Sequence, residues 1–121
     1  MKSLLFIFLG GGTGSVLRHL ISICINQRTA GAFPWGTMFV NISGCVLIGF
    51  FYALSSRMQI SDEMRLLLTV GICGGFTTFS TFSNESLQLL KSGFYLSFFT
   101  YTCGSLILGI LGVMLGTLIG K

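Results

Sequence analysis

The sequence predicts an all-α integral membrane protein of four transmembrane helices, the third broken at its middle. Three observations carry that reading. Charged residues make up 8% of the chain and hydrophobic ones 52%, with a mean hydropathy of +0.88, whereas about a quarter of residues are charged in an ordinary soluble domain. The few charges cut the chain into four apolar stretches, each near the ~20 residues that a helix needs to cross a bilayer. One stretch contains Gly74-Gly75-Phe76-Thr77-Thr78-Phe79-Ser80-Thr81-Phe82, which suits no helix that merely fills lipid. With spans expected at 3–25, 35–56, 65–84 and 93–120 and short connections, the 121 residues form a single four-span domain.

The first span opens with Met1-Lys2-Ser3 and Leu4 to Leu9, which imitates a signal peptide. The apolar stretch continues to about Cys24 without an A-x-A-like cleavage site, so a retained span is expected. Gly10 with Gly14, and Gly11 with Ser15, recur at the spacing that lets helix backbones approach. Gly10 to Ser15 also resembles a phosphate loop, but Gly14 stands where such a loop needs lysine. Arg18 is costly inside a membrane and marks a pathway or aqueous vestibule, unless it snorkels to the nearby helix end. His19 has no second ligand in view.

The second span begins near Pro34-Trp35-Gly36. Proline suits a first helical turn, and tryptophan an interfacial belt. Asn41, mid-span, either bonds another helix or donates to a permeating anion. Ser61 is placed to cap the third helix, with Asp62 and Glu63 opposing the positive end of its dipole. Glu85 is expected to end that span at the interface, the alternative being a place at a pore mouth. In the last span Gly112, Gly116 and Gly120 form another small-residue stripe, and Tyr101 and Ser105 share a face at i, i+4.

The central motif is the candidate site. Paired glycines weaken a helix by roughly 1 kcal/mol each relative to alanine, and irregular backbone at membrane depth survives only where protein buries it or an ion path needs it. Phe76, Phe79 and Phe82 repeat every three residues and so would share one helical face. They either pack or turn their positive ring edges toward a small anion, with Ser80 and Thr81 supplying donors. Gly74 and Thr77 flank the expected break. Their freed carbonyls mark either a kink or a cation site that a symmetric partner would complete.

The net charge of +4 comes from basic residues scattered singly, without a patch for nucleic acid. With both termini on one side, Lys2, Arg57, Arg65 and Lys121 face Arg18, Arg28 and Lys91 across the membrane. That bias is nearly none, which permits insertion both ways up and an antiparallel dimer. Cys24, Cys45, Cys73 and Cys103 lie in apolar stretches without metal-ligand spacing and read as small buried hydrophobes. Three acids and one histidine assemble no catalytic cluster, so no enzyme is expected. A small multidrug-type four-span exporter of organic cations is the alternative. It needs a membrane-embedded carboxylate, which the first span lacks.

These residues together resemble the Fluc (CrcB) family of fluoride channels. The carriers are G-G-T-G-S-V-L-R ending at Arg18, G-T-x-x-V-N-x-x-G from Gly36 to Gly44, and G-G-F-T-T-F-S-T-F from Gly74 to Phe82. The resemblance covers essentially the whole chain. It implies a dual-topology homodimer in the cell (inner) membrane, with two fluoride pores that export fluoride passively. By that resemblance Phe79 and Phe82 match the aromatic box and Asn41 the pore asparagine. Ser80 and Thr81 match the neighbouring hydroxyls, and Tyr101 with Ser105 the track on the last span. Gly74 and Thr77 match the carbonyls that hold a central structural sodium ion (Na+), and Arg18 the basic residue beneath the vestibule. Phe76 and Ser43 depart mildly from the pattern.

Overall fold

The computed structural model describes residues 1–121. Four helical passes are long and apolar enough to cross a membrane. The first is α1 (Lys2–Arg28) and the second α2 (Trp35–Met58). The third is built from pieces: α3 (Asp62–Leu66), a π-helical stretch (Leu67–Cys73), α4 (Gly74–Phe76) and α5 (Phe79–Lys91). The last is α6 (Tyr95–Gly120).

Local chemistry sets the ends of these elements. Ser61 accepts the Met64 N–H and caps α3, with Asp62 and Glu63 in its first turn. The helix does not end at Glu85, since α5 runs on to Lys91. What ends it is Gly93 at φ +81°, with the Phe94 N–H reaching back to the Leu89 carbonyl at 2.9 Å. Glycine takes that left-handed turn without a Cβ penalty.

Two packed pairs make the body. α2 and α6 lie together over most of their lengths, while α1 packs on the π-helical stretch and α4. Both seams rest on the predicted small residues. A Cβ on Gly116 would collide with the Val46 carbonyl oxygen, and one on Gly10 would lie 2.6 Å from that of Leu67. The core is correspondingly thin: Val40, Cys73, Phe76, Leu89 and Tyr101 are the buried hydrophobic side chains. Phe8, Leu96, Ile110 and Leu118 face outward, where lipid tails accept apolar surface as readily as protein does.

The paired glycines do not break the third helix. Gly74 and Gly75 remain helical within α4, and the chain turns extended at Thr77 (φ −89°, ψ 155°) and Thr78 (φ −147°, ψ 121°). Gly75 serves a close approach instead, since its Cβ would strike the Gly11 carbonyl oxygen.

Candidate ion pathway at the break in the third span

Side chains from two neighbouring helices hold the broken backbone. Arg18 Nε donates to the Gly75 carbonyl at 3.1 Å, and Ser15 Oγ donates to the same oxygen at 3.5 Å. Asn41 clasps Thr78 from both sides, its Oδ1 accepting the Thr78 N–H at 2.8 Å and its Nδ2 donating to the Thr78 carbonyl at 3.1 Å. Thr78 in turn caps α5, its Oγ1 accepting the Thr81 N–H at 3.2 Å. In a continuous helix those two N–H groups would serve the carbonyls of Gly74 and Thr77. Here both have been taken elsewhere. The Thr77 N–H and hydroxyl reach the Cys73 carbonyl, each at 3.0 Å.

Beside the break runs an open groove of about 310 Å³. Asn41, Gly74, Thr77, Phe79, Phe82 and Ser105 all line it. Asn41 has one amide hydrogen left after its two bonds to Thr78. Phe79 is 78% exposed and its ring centroid lies 6.0 Å from that of Phe82. Ser105 Oγ is buried without any hydrogen-bond partner. Buried hydroxyls are nearly always paired, so an unpartnered one in the wall of a groove stands out.

Tyr101 lies beyond the groove and is fully buried. Its ring packs 5.0 Å from Phe82 and its hydroxyl donates to Glu85 Oε1 at 3.2 Å. Glu85 borders a second hollow of about 260 Å³ near the α1–α2 connection, with Asn26, Thr29, Gln88 and Ser92 in its wall. The groove, Phe82, Tyr101 and Glu85 therefore lie in sequence toward that end of the bundle. Ser80 is exposed, with its Oγ 3.5 Å from Thr78 Oγ1, and Thr81 is half-buried at the first turn of α5. Arg18 is half-buried and aimed at the broken helix.

One sequence reading changes and another narrows. Phe76 does not share a face with Phe79 and Phe82, because the extended pair Thr77–Thr78 resets the helical phase between them. Phe76 is 6% exposed and packs inward beside Gly44. Glu85, read as an interfacial stop or a pore-mouth residue, is bonded to Tyr101 within the third helical pass, which agrees with the second of these. Its i, i+3 spacing from Phe82 and i, i+4 spacing from Thr81 carried that signal. Thr78 was not singled out among the four hydroxyls of the motif, although a threonine three residues before the Thr81 N–H is a capping pattern.

A family model described as "CrcB-like protein, Camphor Resistance (CrcB)" matches residues 5–117. The chain is 71% identical over 116 residues to a protein of Phocaeicola vulgatus, covering 96% of each. It is 55% identical over 124 residues to one of Bacteroides fragilis, covering 100% of this chain and 98% of the other. A Shewanella loihica protein is 46% identical over 116 residues, with 96% and 94% covered. All three relatives carry the name "Fluoride-specific ion channel FluC". A four-pass helical membrane protein whose third pass is broken, and whose length is matched almost throughout by this model, belongs to the CrcB family.

Proposed function

We propose that this chain is a fluoride-selective channel that lets fluoride leave the cell passively across the cell (inner) membrane. The observation that carries the proposal is the groove at Thr77–Thr78, which gathers an amide, an unpartnered hydroxyl and two phenyl rings without a carboxylate. The family relatives' printed name agrees with it.

Fluoride holds its water tightly, so a pore must replace that water with donors. The remaining amide hydrogen of Asn41 and the hydroxyls of Ser80, Thr81 and Ser105 are suited to this, and Tyr101 would join them on turning its single O–H from Glu85 to the ion. The ring edges of Phe79 and Phe82 add partial positive charge without a fixed cation that would trap the ion. Arg18, held to the Gly75 carbonyl, adds positive potential beside the break. The driving force is electrical: 100 mV, negative inside, contributes about 2.3 kcal/mol per charge. Nothing is made or broken in this scheme, so it is transport and not catalysis.

The assembly we infer is an antiparallel homodimer. A lone chain leaves Phe79 78% exposed on an open groove, and the near-balanced basic residues favour insertion in both orientations. The Gly74 and Thr77 carbonyls, deprived of their helical donors, suit a hard cation, and a second copy would supply the matching pair. Gly74 and Thr77 of both copies would hold sodium through these carbonyls, and its charge would offset their partial negative charge.

A small multidrug-type exporter lacks support. The three acidic residues are Asp62, Glu63 and Glu85, none of them in the first pass, and Glu85 is engaged by Tyr101. The test is fluoride-electrode efflux from liposomes holding the purified protein, with chloride as control. We expect fluoride release and no comparable chloride release. Equal passage of both, or of neither, would sink the proposal.

A further inference from the structure

We propose that Thr78 is a positioning residue: it keeps the Gly74 and Thr77 carbonyls free for the central cation without being a ligand of that cation itself. This rests on the cation reading above.

Three bonds converge on this one residue. Its N–H goes to Asn41 Oδ1 at 2.8 Å, its carbonyl receives Asn41 Nδ2 at 3.1 Å, and its hydroxyl accepts the Thr81 N–H at 3.2 Å. The first of these removes the donor that Gly74 would have in a helix, and the third removes the donor of Thr77. An N–H in hydrocarbon does not stay unpaired. Without the Thr78 hydroxyl, the Thr81 N–H finds the Thr77 carbonyl in its natural helical register. α5 then grows backward by one residue and consumes an oxygen that the cation needs. The Ser80 hydroxyl, 3.5 Å from Thr78 Oγ1, helps fix the orientation of the cap. Because Asn41 grips the same residue, the cation site and the groove wall share a single hinge point.

The substitutions follow from capping chemistry. Thr78→Ser retains the acceptor, and Thr78→Val removes it while keeping the shape. The full-length protein in lipid nanodiscs is unfolded thermally across a sodium chloride titration, with N-methylglucamine chloride holding ionic strength constant. The expected result is that sodium stabilises the wild type and T78S alike. T78V should then need about tenfold more sodium for half of its shift, which corresponds to about 1.4 kcal/mol of binding. If T78V does not fold, Thr78→Ala is read in the same comparison. A wild-type sodium midpoint in the hydroxyl-free variant, even with a melting temperature lowered uniformly, overturns the positioning role alone. A wild type indifferent to sodium overturns the cation reading and this inference with it.

Discussion

Where α6 crosses α2 the backbones touch, and where α4 gives way to α5 they part. The first contact is sealed by glycines whose missing side chains let carbonyls meet Cα atoms, with Gly112, Gly116 and Gly120 all buried against α2. The second is held apart by polar side chains, Asn41 and Thr78 on one half-helix, Arg18 and Ser15 on the other. Both contacts lie at membrane depth, where backbone groups must find partners within the protein. One region satisfies them by ordinary helix and so can pack to the limit. The other diverts them to side chains, and that diversion leaves the Gly74 and Thr77 carbonyls without their helical donors. The seam reads as scaffold, and the break as the proposed site.

The largest expected effect comes from forcing the seam open. Gly116→Leu would drive a side chain into the Val46 carbonyl and the Phe50 N–H. Overpacking ordinarily costs about 1–3 kcal/mol, and more where rigid backbone is the obstacle. We expect no monodisperse protein by size-exclusion chromatography. Gly12→Ala, where nothing lies within 4 Å, is the matched control and should behave as wild type. A soluble, stable G116L would mean that the seam is not scaffold at all.

The converse change is made at the break. Phe79→Ile and Phe82→Ile each replace a ring on the open groove, so folding and assembly should survive while fluoride efflux from liposomes is abolished. Undiminished efflux would remove the rings from the pathway. Between these extremes stands Arg18→Gln, which strips a charged donor from the Gly75 carbonyl. Hydrogen bonds to charged groups are worth about 1.5–3 kcal/mol, so thermal stability should fall by that order. Arg18→Lys should recover only part, because a single ammonium cannot reproduce the guanidinium geometry. No loss in R18Q would show that Ser15 alone holds that carbonyl.

The seam was legible in the sequence and the break only partly so, for a physical reason. Glycine stripes and hydropathy are local patterns, and each element they predict forms from its own residues. The break depends on residues far apart in the chain. Asn41 lies 37 positions from the N–H that it captures, and no spacing rule within the third span reports that. The run of glycines drew attention to 74–75, whereas the backbone leaves the helix at Thr77, once helical winding and side-chain capture are both counted. Phe76 departs from its expected face for the same cause: periodicity assumes an unbroken helix, and here the helix is broken at Thr77–Thr78. The π-helical stretch Leu67–Cys73 has no local sequence signal, although such windings gather near functional sites.

The smallest effect separates the two regions most sharply. Ser105 Oγ is buried with no partner, on the wall of the groove. On the seam, such a hydroxyl would be a defect, since an unsatisfied buried donor costs about 1–3 kcal/mol. If stability alone governed the position, alanine would serve better. Ser105→Ala should accordingly leave thermal stability unchanged or raise it by about 1 kcal/mol, while fluoride efflux slows. Opposite signs in the two measurements are what a side chain kept for ions must give. A variant that loses stability and keeps its flux would instead mean that the hydroxyl finds a protein partner in the assembled dimer, and Ser105 would then pass from the pathway to the scaffold.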